Sequence, residues 1–446
     1  IFTAFRNQTP LIITAGQQAR SILPFDPFLA ATQATELPRP YVKWAIEPAR
    51  AEDVPLALMR AYQVAMQAPQ GPVFISIPAD DWEKPCDWVP MRQVSQVSAP
   101  DPAMLQQLAQ ALARSQRPVI VVGAGVDRDA AVDMVTALAE RHQAPVYTAP
   151  MSARCGFPEH HPLFAGFLPP MRERIVDTLA GHDLILVLGA PAFTYHIEGH
   201  GPHIPDGCTL WQIVDDPHTA AWTPAGNSVV SSVRLAVAGL LASPAAEIQR
   251  PAPPLRPAAA RVEAGHPMTV AFALQTLHEL RQAQDVVVEE APGSRSVMQR
   301  HLPMAGADSF YTMASGGLGH GMPAAVGVAL GRRKLGLPGR VIALIGDGSS
   351  LYSIQALFSA ARLQLPLTFV ILNNRRYAAL QDFAPVFGYA PGETPEGTDL
   401  AGLDFPALAA GHGLPGWRVD QAEALHEALA NALAHDGPCL IELVVA

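Results

Sequence analysis

Asp347 and Asn374 are the residues whose types and spacing point most directly to chemistry. Asp347 lies in Ile345-Gly346-Asp347-Gly348-Ser349, and Asn374 closes Leu372-Asn373-Asn374. Each motif ends an apolar run, Val341–Ile345 or Leu367–Leu372, that reads as a buried parallel strand. Between them Tyr352–Leu363 has helical apolar spacing, so the stretch predicts one β-α-β unit with both strand ends at one sheet edge. Open α/β sheets bind ligands at that edge. The carboxylate of Asp347 and the amide oxygen of Asn374, 374 − 347 = 27 residues apart, should therefore converge. Hard oxygen donors suit Mg²⁺, which takes few protein ligands and completes its octahedron with water and phosphate. Gly346 and Gly348 leave the backbone open to a phosphate. Gly-Asp-Gly alone is equally an ordinary strand-to-helix turn; with Asn-Asn after the next strand, it describes a diphosphate held through magnesium.

The elements that must position this pair fall into three blocks, which predict an α/β protein with parallel sheets flanked by helices. Residues 1–98 hold strands Leu11–Thr14 and Val73–Ile77 around a helix, Val54–Gln67. Residues 99–245 alternate Val119–Val122, helix Ala130–Arg141, Val146–Thr148, Leu184–Leu188 and Leu210–Val214. A Pro- and Ala-rich linker is expected over 246–262. Residues 263–446 carry Val286–Val288, the Gly-rich run 316–321, the Gly-Asp-Gly unit and a closing strand, Cys439–Val445. At 446 residues, 49% hydrophobic and 16% charged, the chain can bury several cores. Its net charge of −10, with no offsetting Lys/Arg cluster, argues against a nucleic-acid partner. No apolar run has the length of a membrane span, and four scattered cysteines suit reduced thiols, so a cytoplasmic protein is expected. The opening Ile1-Phe2-Thr3-Ala4-Phe5 reads like a chain entered in the middle of a domain.

The metal motif resembles that of thiamine-diphosphate enzymes, which runs from Gly-Asp-Gly to Asn-Asn. The resemblance extends along the chain to the 2-oxo acid decarboxylases of the benzoylformate type. It is carried by Thr14-Ala-Gly-Gln-Gln18, Arg39-Pro-Tyr-Val-Lys-Trp44, Ala68-Pro-Gln-Gly-Pro-Val73, Arg154-Cys-Gly-Phe-Pro158, Gly189-Ala-Pro191 with Tyr195-His196, and Gly316-Gly-Leu-Gly319. It implies a pyrimidine-binding, a middle and a diphosphate-binding domain, in that order. It also implies thiamine diphosphate and Mg²⁺ as cofactors, a small 2-oxo acid as substrate, and a homodimer or homotetramer with active sites between subunits. The implied metal ligands are Asp347, Asn374 and the carbonyl of Arg376, with Gly346, Gly348, Ser349 and Tyr377 around the diphosphate. Gly316 would contact the pyrimidine, Leu318 would wedge the cofactor's two rings into a V, and Ala379, Leu380 and Phe383 would wall the substrate pocket. His196 would serve proton transfer; imidazole suits this because both its forms are accessible near neutral pH.

Family members begin upstream of Ile1, in a half-domain carrying a glutamate that activates the cofactor, together with a histidine and a serine of the active site. None of these positions is in this sequence, so an inactive cofactor-binding fragment stands as one alternative, and a carboligase of the acetolactate synthase or benzaldehyde lyase type as another. Arg375-Arg376 stands where the family often has a small residue. Glu289-Glu290, at the end of the strand Val286–Val288, matches the family at Glu290 only; neither is assigned chemistry. Pro292 and Gly293 replace hydroxyl-bearing residues, for which Ser294 could substitute. Gly123-Ala-Gly125 follows a strand as a dinucleotide turn does, but Arg128 occupies the third glycine position. His160-His161 reads as a loop pair, and Asp215-Asp216 as a helix cap.

Overall fold

Apolar runs without alternation need cover on both faces, and the strands of this chain obtain it in three wholly parallel sheets. The computed structural model describes residues 1–244, 248–390 and 392–446, so the predicted boundary at 245/246 lies outside the described residues. The first sheet is small: β1 (Leu11–Gln17), β2 (Ala45–Ile46) and β3 (Pro72–Pro78) in the order β1-β3-β2. Every residue of β3 is buried, and helix Val54–Met66 buries Ala57, Ala61 and Ala65 at four-residue spacing.

The second sheet holds β4 (Pro118–Val122), β5 (Val146–Thr148), β6 (Phe164–Phe167), β7 (Leu184–Leu188), β8 (Thr209–Val214) and β9 (Asn227–Val230). Its order is β6-β5-β4-β7-β8-β9, the doubly wound arrangement that reverses direction between β4 and β7. The third holds β10 (Val286–Glu290), β11 (Phe310–Tyr311), β12 (Val341–Gly346), β13 (Leu367–Asn373), β14 (Gly416–Val419) and β15 (Cys439–Val444), ordered β11-β10-β12-β13-β15-β14. Buried clusters cover both faces of each six-stranded sheet.

Two predicted helices start late. The one expected over Tyr352–Leu363 begins at Ala356, because a separate short helix, Asp347–Ser350, and a turn come first; there the Ser350 hydroxyl donates to the Asp347 carbonyl at 2.6 Å. The one expected from Ala130 begins at Val132, since Ala130 has φ +50°. Between the second and third sheets, residues 248–265 form no helix or strand. Arginines fasten them instead. Arg250 donates to the carbonyls of Leu112 and Ser115, and Arg256 donates to the Gln299 carbonyl while covering the Phe164 ring. Among the described residues no helix is long and apolar enough to cross a membrane.

Candidate active site

Parallel pairing of β12 with β13 sets Gly346 opposite Leu372, which brings Asp347 to the level of the Asn373–Asn374 turn. Asp347 is 3% exposed. Its Oδ1 accepts from the Gly348 amide at 2.8 Å, whereas Oδ2 is buried without a hydrogen-bond partner. Burial raises its pKa; the amides of Gly348, Arg375, Arg376 and Asn374 oppose that rise without closing a bond to Oδ2. An unpaired buried carboxylate oxygen is costly, and a bound cation is one partner that would remove the cost.

The neighbouring groups fit one. Asn374 is half-buried, and its Oδ1 accepts only a long bond from the Arg376 amide, at 3.3 Å. The Arg376 carbonyl accepts from the Ala378 amide at 2.9 Å and has a second lone pair. One carboxylate, one amide oxygen and one carbonyl suit magnesium, although among the described residues no cluster of three or more His, Cys, Asp or Glu could hold a metal. Arg375 turns the chain here with φ +61°. Gly348 is required by packing: a Cβ there would lie 2.4 Å from the Tyr377 ring. At Gly346 a Cβ would meet nothing closer than 3.7 Å.

Asn373 has a different task from its neighbour. Its Nδ2 donates to Glu442 Oε1 at 2.6 Å and its Oδ1 accepts from the Arg375 amide at 3.0 Å. Glu442 is fully buried and pairs with Arg418 at 2.9 Å. The first asparagine therefore anchors the turn that presents the second. A lone charged residue inside the apolar strand Cys439–Val444 was the sequence signal for that buried partner.

Neither glutamate at the end of β10 is free to act. Glu289 is bound by Arg295 at 2.6 Å, the Thr312 hydroxyl at 2.8 Å and the Ala291 amide at 2.6 Å. Thr312 is itself committed to that network and 2% exposed. Glu290 accepts from the amides of Gly319, at 2.7 Å, and Gly321, so it fixes the exit of the Gly316–Gly319 loop into helix Gly321–Lys334. A Cβ at Gly321 would sit 2.7 Å from Glu290. Gly316 has φ +70° and is exposed; Leu318 is half-buried.

The His196 ring meets the Phe383 ring edge to face, with centroids 5.5 Å apart, although 187 residues separate them (383 − 196). His196 follows β7 and is held by its amide, which donates to the Pro170 carbonyl at 2.9 Å. Phe383 ends helix Ala378–Phe383, where Ala379 is half-buried and Leu380 is 57% exposed. Tyr195 turns away, its hydroxyl bonded to His203 at 2.8 Å. Ser294 closes a turn on the Ala291 carbonyl, and Gly293 packs toward Ala378. Asp216 caps helix Pro217–Trp222, while Asp215 pairs with Arg128 at 3.4 Å.

With this geometry in view, the comparisons with known proteins fall on the same parts of the chain. Residues 105–240 match the central domain of thiamine pyrophosphate enzymes, and residues 292–443 their C-terminal TPP binding domain. Benzoylformate decarboxylase of Pseudomonas aeruginosa is 41% identical over 99% of this chain and 83% of its own length. The acetolactate synthase large subunit of Parasynechococcus marenigrum is 28% identical over 100% and 74%. The crystal structure of benzoylformate decarboxylase from Polynucleobacter necessarius superposes with a TM-score of 0.94 at 39% identity, covering 100% of this chain and 83% of that one. A Rhodococcus jostii thiamine diphosphate-dependent 4-hydroxybenzoylformate decarboxylase gives 0.93 at 37%, covering 100% and 84%.

Proposed function

The chain belongs to the thiamine pyrophosphate enzyme family, and we infer that it is a carboxy-lyase converting a benzoylformate-like 2-oxo acid to an aldehyde and CO₂. The observation that carries this reading is the pairing of an unsatisfied buried Asp347 oxygen with the Asn374–Arg376 turn, in a chain 41% identical to a benzoylformate decarboxylase. The acetolactate synthase relative is more distant, at 28%.

Bound thiamine diphosphate supplies a nucleophilic ring carbon and a sink for the electrons released with CO₂. The chain's own residues bind, orient and move a proton. Asp347, the Asn374 amide oxygen and the Arg376 carbonyl hold Mg²⁺, and Gly346, Gly348, Ser349 and Tyr377 border the diphosphate. Glu290 fixes the end of the loop that carries Gly316 and Leu318, by accepting from the Gly319 and Gly321 amides, which supports their contact with the cofactor rings. His196 would supply the proton that the aldehyde product carries in place of the lost CO₂. Phe383 against its ring, with half-buried Ala379 on the same helix, would screen that step from water, whereas Leu380 is too exposed to contribute.

The three sheets, and a segment 248–265 with neither helix nor strand, support a division of the chain near 98 and 262. The four free cysteines suit a reducing cytoplasm. Exposed Phe25, Phe28 and Leu37 on the first block suit a homodimer or homotetramer. The test is product formation from benzoylformate with thiamine diphosphate and Mg²⁺. Benzaldehyde and CO₂ in equal amounts are expected; hydroxyketone as the main product, or no product from the cofactor-loaded protein, would overturn the reading.

A further inference from the structure

The Gly316–Gly319 loop is held at both ends by groups outside it. Downstream, Glu290 takes the amides of Gly319 and Gly321. Upstream, the hold comes from the far end of the sequence. Asn7 Nδ2 donates to the Thr312 carbonyl at 3.0 Å, and Asn7 Oδ1 accepts from the Ala314 amide at 2.8 Å. A side-chain amide carries one donor edge and one acceptor edge, so Asn7 pairs with this backbone as a neighbouring strand would. Behind it the Thr3 hydroxyl lies 2.9 Å from the Ser315 hydroxyl, which accepts from the Gly317 amide at 3.1 Å. The Thr312 amide donates to the Ala153 carbonyl at 3.0 Å, so residues from all three blocks meet at the loop's entry.

Between these anchors the loop has little packing of its own. Gly316 and Gly317 are exposed, and a Cβ at Gly316 would meet nothing within 4 Å. Leu318 is its one large side chain. Its position is therefore set by its ends, and one end is set by Asn7.

We propose that Asn7, backed by Thr3, is a positioning residue for the cofactor loop, so that thiamine diphosphate binding and the docking of residues 1–9 on residues 312–315 are coupled. The proposal rests on the cofactor site assigned above. Coupling of this kind is reciprocal: losing the dock weakens the cofactor, and the cofactor tightens the dock.

Asn7→Ala removes both hydrogen bonds and should weaken thiamine diphosphate binding at saturating Mg²⁺ about tenfold by calorimetry. Thr3→Val, nearly isosteric, should weaken it about twofold and serves if Asn7→Ala does not fold. Hydrogen exchange supplies the readout that a merely structural role would not move. In the unaltered chain, cofactor should slow exchange in residues 1–9 as well as 312–321; in Asn7→Ala the effect on 1–9 should vanish. Unchanged affinity in both variants, or cofactor-independent exchange of residues 1–9, would overturn the proposal. Asp347→Ala is the control. If it loses binding while Asn7→Ala keeps it, only the coupling falls; if it too keeps binding, the site assignment falls and the proposal with it.

Discussion

The middle and third sheets each end a central strand in a glycine turn, yet the two turns spend their polar groups oppositely. After β4, the amides of Gly123 and Gly125 donate to the carbonyls of Leu188 and Gly189, both at 2.9 Å. A Cβ at Gly123 would lie 2.5 Å from Ala190, and one at Gly125 would lie 2.7 Å from Gly189. That turn is closed by its own neighbours, and its glycines serve strand-end packing. After β12, by contrast, Asp347 keeps one buried oxygen without a partner. Two turns alike in sequence and topology thus differ in what they leave unsatisfied, and the unsatisfied one is the turn proposed to hold the metal.

The largest way to break this contrast is to remove the unpaired group. Asp347→Ala should reduce Mg²⁺-dependent thiamine diphosphate affinity at least about a thousandfold with the fold retained; calorimetry beside a thermal melt separates the two. His196→Ala should lower turnover about a hundredfold with cofactor affinity unchanged, and steady-state rates at saturating cofactor would reveal a bystander by equal turnover.

A matched pair of glycine substitutions sharpens the comparison. Gly348→Ala drives a methyl into the Tyr377 ring, so cofactor affinity should fall about tenfold. Gly125→Ala drives one into Gly189 and should cost about 1–3 kcal/mol of stability while the folded fraction binds cofactor normally. The same outcome for both would erase the distinction.

The smallest effect is pH-dependent and belongs to the middle domain. Burial, reinforced by Arg250 and Arg141, pushes the His142 pKa down to about 4. The unfolded chain gains a proton near the ordinary value of 6.5, which the folded chain refuses until about 4. Stability should therefore fall as pH drops from 6.5 toward 4, by at most about 2 kcal/mol at pH 5. Melts of His142→Gln should show a flatter profile over that window.

Much of this was legible in the sequence because it is local. Unbroken apolar runs announced parallel strands, and two motifs spaced by one β-α-β unit announced that Asp347 and the Asn373–Asn374 turn meet at one sheet edge. Strands β6, β9 and β14 escaped because each is four residues long and broken by Gly, Asn, Ser or Arg, so that none reads as an apolar run. The supporting contacts escaped for another reason: Asn373 with Glu442, His196 with Phe383 and Asn7 with Ala314 join residues 69 to 307 positions apart. Only folding makes them neighbours. Glu290 shows the limit most plainly. Beside Glu289 it resembles an acid–base pair, but its carboxylate is consumed by two backbone amides.

The orphaned Asp347 oxygen and the Asn374 turn are proposed to bind the cofactor through a metal. Calorimetric titration of the unaltered chain with thiamine diphosphate, with Mg²⁺ and then with a chelator, tests it most directly. Saturable binding that disappears on chelation is the predicted result; equal affinity with and without the metal would contradict it.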